Sequence, residues 1–166
     1  MNHWTKEKLD FNDIQRLMAR LIEKVSFFQG LTHKEVQKLL ESAEKCTFEA
    51  GEAIVRQGST GAFLYVLIEG AVTVLKAPTP SDGKRPPKEL ARLNAGDCFG
   101  EMSLVDRDSR SASVLALSPC VLIRINEMAC WNEPVTSAKI FHNIARTLSR
   151  RLRAMDEAFV VGRYGD

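Results

Sequence analysis

Between residues 46 and 126 the chain alternates short runs of β-branched and apolar residues with glycines, and this alternation limits the possible folds more than any other feature of the sequence. Strand-like runs lie at 53–56, 63–68, 71–75, 111–117 and 121–126. The glycines that punctuate the region are Gly51, Gly58, Gly61, Gly70 and Gly96. Short strands joined by glycine turns are typical of small antiparallel sandwiches and barrels, so we predict a fold of this class.

One stretch of this region does not suit a central strand. Residues 77–88 contain Gly83 and four prolines, at positions 78, 80, 86 and 87. Proline cannot donate a hydrogen bond to a strand ladder. The sequence therefore predicts a long surface loop here.

The segments on either side of the strands have helical periodicity. Asp10 is placed to cap a first helix, and Thr32 with Glu35 forms a capping-box pattern at the start of a second. After the strands, Asn126 is placed to cap a short helix and Pro134 to open a long one. The predicted apolar faces of the first two helices consist of Phe11, Ile14, Leu17, Met18, Leu21, Ile22, Val25, Val36, Leu39, Leu40 and Ala43.

The long C-terminal helix carries an apolar stripe whose members are Ile140, Phe141, Ile144, Leu148, Leu152, Met155 and Phe159. The spacing of three and four residues continues for about five turns. A helix of this length can leave the sandwich and pair with a partner. Packing of the stripe on its own domain is an equally open alternative.

Composition and length fit one soluble globular domain. The chain has 166 residues, of which 45% are hydrophobic and 27% charged, with a formal net charge of +2. These values exclude disordered, collagen-like and disulfide-scaffold classes. The sequence contains no signal-peptide pattern and no run of about 18 apolar residues, so it predicts a cytoplasmic protein without a membrane span.

Basic residues on the C-terminal helix raise the question of nucleic-acid binding. They are Arg146, Arg150, Arg151 and Arg153. Acidic residues follow directly at 156 and 157, and no aromatic residue is interleaved. We therefore interpret the run as a solvated helix face and expect no nucleic-acid partner.

The sequence contains no catalytic or metal-binding motif. Its four cysteines, at positions 46, 98, 120 and 130, form no C-x-x-C pair, and its three histidines, at 3, 33 and 142, lie outside the strand region. A P-loop, a G-x-S-x-G motif and an H-E-x-x-H motif are likewise missing from the sequence. We predict a protein that is not an enzyme, holds no metal or cofactor, and keeps its cysteines reduced and buried.

Residues 96–112 do not fit a plain strand or turn. Glu101 stands at the start of a possible one-turn helix, and Arg110 follows nine residues later as the next strand begins. Free backbone N–H groups at such a helix start attract an anion, and a guanidinium can grip phosphate oxygens in a fork. A carboxylate repels phosphate and instead suits a neutral donor such as a sugar hydroxyl. Together these residues predict a pocket for a sugar phosphate.

This stretch resembles the phosphate-binding cassette of the cyclic nucleotide-binding domain family. The resemblance extends over about residues 25–155 and is carried by the matching segments 28–32, 51–58, 65–70, 99–104 and 110–112. It implies an antiparallel β jelly-roll (double-stranded β-helix) with N-terminal helices and a long C-terminal helix. The expected segments are an N-terminal helical segment at 1–45, a jelly-roll at 46–126 with its cassette at 96–112, and a C-terminal hinge and lid helix at 127–166.

The resemblance also implies a set of ligand contacts. Glu101 is expected to accept the ribose 2′-hydroxyl, and Arg110 to pair with the cyclic phosphate. Backbone N–H groups of Gly100, Ser103 and Ser111 are expected to line that phosphate. The implied ligand-binding set is Gly100, Glu101, Met102, Ser103, Arg110, Ser111 and Ala112. A hydroxyl at the position of Ser111 occurs in pockets for cAMP and for cGMP, so both nucleotides remain open.

The sequence departs from the family pattern in two places. Thr73 matches an aspartate that braces the phosphate-binding arginine in kinase regulatory subunits. Met155 and Asp156 match a base-contacting pair on the C-terminal helix of activator-type members. Here Asp156 would accept a hydrogen bond from an exocyclic amino group, and Met155 would cover the base.

The function implied by the resemblance is that of a cyclic nucleotide sensor, a regulatory module for cAMP or cGMP. Ligand binding is expected to move the C-terminal helix about a hinge at 126–134 and to alter contact with a partner. That partner is either a second copy, in a homodimer through this helix, or a separate effector protein; the length leaves no room for a helix-turn-helix domain. The alternative is a degenerate fold that acts as a ligand-independent protein interaction module.

Overall fold

The computed structural model describes residues 5–78, 85–106 and 108–164, and the side chains of Ser103 and of residues 158–164 lie outside this description. Its strands are β1 (Thr5–Lys8), β2 (Glu44–Phe48), β3 (Ala53–Val55), β4 (Phe63–Glu69), β5 (Ala71–Lys76), β6 (Lys88–Asn94), β7 (Cys98–Phe99), β8 (Ser113–Ala116) and β9 (Cys120–Asn126). Its helices are α1 (Phe11–Lys24), α2 (His33–Glu41), α3 (Met102–Asp106), α4 (Glu127–Trp131) and α5 (Pro134–Tyr164), with a 3₁₀ turn at Ser26–Phe28.

The strands form two antiparallel sheets. One sheet has the order β1-β2-β9-β4-β7 and the other the order β3-β8-β5-β6. Non-consecutive neighbours such as β9 and β4 mean that the chain crosses repeatedly between the sheets, as in a jelly-roll. The predicted fold class, a mainly β jelly-roll with flanking helices and a long C-terminal helix, is confirmed.

Strand β4 is buried on both faces, which explains its nearly continuous apolar sequence. Tyr65 and Leu67 pack in the core between the two sheets. Leu64, Val66 and Ile68 alternate with them and pack in a second core beneath the helices. The five-stranded sheet is therefore the middle layer of the molecule, with the second sheet on one side and the helices on the other.

Both predicted helix caps at the N-terminal side are present. Asp10 accepts a hydrogen bond from the backbone N–H of Asp13 at 2.7 Å. Thr32 and Glu35 form the reciprocal capping box at the start of α2. Most residues of the predicted apolar faces are buried, Leu17 and Ile22 are partly buried, and Phe11, the first helical residue of α1, is exposed.

The sequence did not indicate strands β1 and β6. Every residue of β1 is exposed, and in β6 only Leu93 is buried. Strand β1 is held by its pairing with β2 and by an ion pair of 2.6 Å between the Lys6 ammonium and the Glu44 carboxylate. The predicted loop at 77–88 is only partly described, since 79–84 lie outside the described residues. Residues 77, 78 and 85–87 are neither helix nor strand. Strand β6 begins at residue 88, the last residue of the predicted loop.

Helix α5 begins at Pro134, as predicted, and its two halves have different surroundings. Ile140 and Ile144 are buried against the domain, whereas Leu152 and Met155 are 59% and 65% exposed. The stripe therefore packs on its own domain only in its first half; the predicted stripe residue Phe159 has its side chain outside the described set. Within the described ranges, no helix is both long and apolar enough to span a bilayer.

Candidate functional site

The stretch from β7 to β8 lies against the end of β4. Strand β7 pairs with β4 through Tyr65 opposite Phe99 and Val66 opposite Cys98. Gly100 follows with φ of 81°, a left-handed conformation that glycine adopts without strain. A Cβ atom there would lie 2.5 Å from Nη1 of Arg110, so this position also has no space for a side chain.

The Arg110 guanidinium is buried, at 7% exposure, and fixed by backbone carbonyls. Its Nη1 donates to the oxygen of Gly100 at 3.0 Å, and its Nη2 donates to the oxygen of Phe63 at 2.6 Å. Burial lowers the pKa of Arg110, while the neighbouring Tyr65 and Glu101 act in the opposite direction. Because arginine stays protonated in proteins, the structure holds a desolvated positive charge at this point.

The backbone of Arg110 is anchored as well. Its N–H donates to the oxygen of Ser59 at 2.9 Å, and its carbonyl accepts from the N–H of Gly58 at 2.8 Å. The glycine turn after β3 therefore sets where the arginine enters the site. Gly58 itself has φ of 78°, which gives a structural reason for a glycine at this position.

The Glu101 carboxylate is buried, at 4% exposure, and pairs with Arg151 of helix α5. Nη1 of Arg151 donates to Oε1 of Glu101, and Nη2 of the same guanidinium donates to the oxygen of Cys98 at 2.7 Å. One arginine thus joins α5 both to the carboxylate and to the strand that precedes it.

The interpretation of the basic run as a wholly solvated face is wrong for Arg151. Ile144 and Arg151 are seven residues apart, about two helical turns, so both project from the side of α5 that faces the domain. The neighbouring Arg150 and Arg153 are exposed, as predicted. The spacing of the apolar residues on α5 places position 151 on the same face as Ile144, so the sequence contained a signal for this contact.

The other predicted cassette residues lie at the rim of the same site. Met102 is half-exposed, and the Ser111 hydroxyl lies 3.9 Å from its sulfur atom. Ala112 is buried at the start of the next strand segment. Ser103 lies in helix α3, with its side chain outside the described set.

Thr73, which matches the bracing aspartate of kinase regulatory subunits, has its partner on strand β6. Its hydroxyl donates to Oε2 of Glu89 at 2.9 Å, and Arg92 forms an ion pair with the same carboxylate at 3.0 Å. The pKa of Glu89 is lowered by Arg92 first and by Thr73 second. Thr73 therefore belongs to a cross-strand polar cluster with β6.

The predicted base contacts lie on α5 beyond Arg151. Met155 and Asp156 are both exposed. In the described part of the chain, neither side chain forms a hydrogen bond or an ion pair with the cassette. Their role toward a base stays a prediction.

The site thus brings together a buried guanidinium and a buried carboxylate within one short connection. The cation suits an anionic group such as a phosphate, and the carboxylate suits hydroxyl donors. No group of three or more His, Cys, Asp or Glu side chains suited to a metal ion occurs among residues 5–78, 85–106 and 108–164. The four cysteines are free and buried, as predicted.

Known proteins resemble this chain in sequence and in fold. The profile of the cyclic nucleotide-binding domain family matches residues 45–132. The chain is 33% identical over 129 residues to the cyclic AMP receptor protein of Thermus thermophilus, an alignment that covers 78% of this chain and 58% of that protein. It is 32% identical over 104 residues to a cGMP-dependent protein kinase of Caenorhabditis elegans, covering 63% of this chain and 13% of the kinase.

Among solved structures, a cyclic nucleotide-binding domain from Methylobacillus flagellatus superposes with a TM-score of 0.79 at 21% identity, covering 95% of this chain and 88% of that one. The chain spans less than two thirds of the length of either sequence relative named above. The family profile, in contrast, covers more than half of the chain and includes every residue of the cassette. This protein belongs to the cyclic nucleotide-binding domain family.

Proposed function

We propose that the protein binds cAMP or cGMP at the cassette and has a regulatory rather than a catalytic role. The observation that carries this proposal is that a buried arginine, Arg110, and a buried glutamate, Glu101, lie in the same connection of a cyclic nucleotide-binding fold. A cyclic nucleotide offers a phosphate for the first residue and a ribose hydroxyl for the second.

The electrostatics of the site favour a ligand with one negative charge. Arg151 forms an ion pair with Glu101, and the buried Arg110 guanidinium is the cation that we assign to a phosphate. The guanidinium donates to the oxygens of Gly100 and Phe63. A phosphate oxygen is a stronger acceptor than these carbonyls, because both the donor and the acceptor are then ionised. In this proposal the backbone N–H groups of Gly100, Ser103 and Ser111 line the phosphate.

Glu101 also provides a route from ligand to helix. Arg151 donates to Oε1 of this carboxylate, and in the described part of the chain Oε2 accepts no hydrogen bond. We therefore assign Oε2 as the acceptor for the ribose 2′-hydroxyl. A ligand held at Glu101 then acts on α5 through Arg151. We propose that this contact repositions α5 and alters either self-association through the helix or contact with a separate effector protein.

The choice between the two nucleotides stays open. One relative is named a cyclic AMP receptor protein and the other a cGMP-dependent kinase, with 33% and 32% identity. The Ser111 hydroxyl is compatible with either ligand. Met155 and Asp156, the proposed base contacts, lie on the part of α5 that would have to close over the base.

A second function is favoured by a specific observation. Glu101 and Arg110 both have partners within the chain, namely Arg151 for the carboxylate and two carbonyls for the guanidinium. A fold whose site is satisfied in this way can persist without ligand. The second candidate is therefore a ligand-independent protein interaction module.

Calorimetric titration with cAMP and with cGMP tests the proposal. We expect sub-millimolar binding of at least one nucleotide, and we expect Arg110→Ala to weaken it by about tenfold or more, as for loss of a charged hydrogen bond. Arg16→Ala removes the same charge from an exposed position on α1 and serves as the control.

The possible results separate the candidates. If neither nucleotide binds below millimolar concentration, the interaction module is correct and the sensor is not. Binding that survives in Arg110→Ala would mean that the site lies elsewhere. Sedimentation with and without nucleotide adds a second criterion, because a sensor that acts through association changes its oligomeric state on binding, whereas a constitutive module does not.

A further inference from the structure

Lys76 occupies an unusual position for a charged residue. Side chains alternate between the two faces of a strand, and Val72 and Val74 of β5 pack in the core between the sheets. The intervening Thr73 points the other way, to Glu89 on β6. Lys76 is the next residue on the inner face, at the end of the strand where the interior of the sandwich opens.

The ammonium group of Lys76 reaches the cassette. Its Nζ lies 2.5 Å from the backbone oxygen of Ser111, the residue that follows Arg110. The chain around it is fixed, because the N–H of Ala77 donates to Oε1 of Gln57 at 2.8 Å and the N–H of Gln57 donates to the hydroxyl of Ser113 at 2.9 Å. These bonds hold the end of β5 beside the start of β8, so the contact with Ser111 follows from the register of the sheet.

A second lysine lies beside the first. Lys88 of β6 is directly opposite Lys76 in the antiparallel register. Like charges in this arrangement repel and destabilise a sheet. Among the residues that the structure describes, neither lysine forms an ion pair with a carboxylate. The sheet therefore keeps two positive charges together next to the cassette, an arrangement that an anionic ligand would relieve.

We propose that Lys76 is a further ligand-binding residue of the nucleotide site and supplies a second positive charge to the cyclic phosphate. This inference rests on the proposed function. An ammonium group only donates hydrogen bonds, and an ionised phosphate oxygen is a stronger acceptor for it than the neutral carbonyl of Ser111, which it can therefore replace. The flexible lysine stem allows the ammonium to swing from the carbonyl to the ligand while the backbone stays in register.

The test compares lysine variants in nucleotide titrations at low and at high salt. Lys76→Met removes the charge and keeps an unbranched apolar stem, Lys76→Arg keeps the charge, and Lys45→Met removes one positive charge from β2 on the other sheet as the control. We expect Lys76→Met to bind cAMP and cGMP about fivefold more weakly at low salt, the effect of one partly exposed charge pair. Lys76→Arg and Lys45→Met should bind like the wild type, and the deficit of Lys76→Met should shrink at high salt because salt screens the charge.

Two checks keep the result interpretable. Without ligand, Lys76→Met should unfold at the wild-type temperature or above it, since the repulsion with Lys88 is removed; if this variant misfolds, Lys76→Gln replaces it. Affinities of Lys76→Met equal to those of Lys45→Met would overturn the inference. A deficit limited to one nucleotide would also overturn it, since that result places the ammonium at the base rather than at the phosphate.

Titrations of the wild type and of Arg110→Ala distinguish a failure of the proposed function from a failure of this inference. If the wild type binds no cyclic nucleotide, or if Arg110→Ala binds as well as the wild type, the proposed site is wrong and this inference is wrong with it. If Arg110→Ala loses affinity while Lys76→Met does not, only the role of Lys76 is overturned.

Discussion

Arg151 of helix α5 donates one guanidinium N–H to the buried carboxylate of Glu101 and another to the backbone oxygen of Cys98. The contact joins residues that are fifty positions apart in the sequence. It is a physical connection between the proposed ribose-binding group and the element expected to move. Removal of either partner therefore affects both the site and the helix.

The first prediction concerns the loss of this connection. Arg151→Ala should lower the free energy of unfolding by about 2 kcal/mol, the usual scale for hydrogen bonds to a charged group, because it leaves Glu101 buried without its counter-charge. It should also raise hydrogen exchange in the part of α5 around residues 147–155 and weaken nucleotide binding. Denaturant unfolding and exchange mass spectrometry measure the first two effects.

Arg150→Ala is the matched control for that variant. Arg150 is exposed, and within the described residues its guanidinium donates only to the backbone oxygen of Arg146 on the same helix. We expect this control to behave as the wild type. If Arg151→Ala and Arg150→Ala give the same exchange pattern, Arg151 does not hold α5 to the cassette.

The second prediction concerns Gly100. An alanine at this position would have to adopt φ of 81° and would place its Cβ 2.5 Å from Nη1 of Arg110. Gly51→Ala is a close control, since Gly51 has φ of 85° but nothing within 4 Å of a Cβ. Both variants carry the backbone strain, of order 1–3 kcal/mol. Only Gly100→Ala displaces the guanidinium, so this variant should lose more folding stability than Gly51→Ala. It should also lose nucleotide affinity, measured by calorimetry. Equal losses of stability and affinity in the two variants would contradict this account.

The third prediction concerns acid stability at the contact between α2 and α5. The Lys139 ammonium donates to both oxygens of Glu35, and this contact, with the N–H of Thr32, lowers the pKa of Glu35 from its ordinary value of 4.5 to about 2. A carboxyl whose pKa is lower in the folded than in the unfolded state stabilises the fold above the unfolded value. That stabilisation is lost as the pH falls through the folded value.

Wild-type stability should therefore fall between about pH 5 and pH 2, and part of this fall should be missing in Glu35→Gln. Melting temperatures over this pH range measure the effect. Glu41→Gln is the control, because Glu41 is exposed on the same helix and, in the part of the chain that the structure describes, accepts a hydrogen bond only from Gln37. A Glu35→Gln curve parallel to the wild-type curve would show that the α2–α5 contact does not depend on this charge.

Those parts of the molecule that depend on neighbours in sequence were predictable. The capping boxes at Asp10 and Thr32 each use residues three positions apart. The cassette is similar, since Gly100, Glu101 and Arg110 lie on one short connection whose chemistry is visible in the order of its residues. Local geometry and residue type together fix such features.

Features that depend on tertiary docking were not predictable from the same patterns. All four residues of β1 are polar and exposed, so only its pairing with β2 makes it a strand. The partner of Arg151 is set by where α5 packs, through Ile140 and Ile144, and that position is a property of the whole fold. The contact of Lys76 with Ser111 likewise appears only when β5 and β8 are placed in register.

The last prediction uses Cys98 as a reporter of the docked helix. Burial raises the pKa of its thiol far above the ordinary value, and its backbone oxygen accepts the hydrogen bond from Arg151. Since the thiolate is the reactive form, Cys98 should resist alkylation at pH 8 in the folded wild type and react readily in denaturant. Peptide mapping by mass spectrometry should show faster alkylation of Cys98 in Arg151→Ala than in Arg150→Ala, because only the former frees α5 from the strand. Cys130 lies in α4, where burial raises the pKa of its thiol to about 12, and it should stay unreactive in both variants. Equal rates at Cys98 in the two variants would mean that the helix covers this strand without help from Arg151.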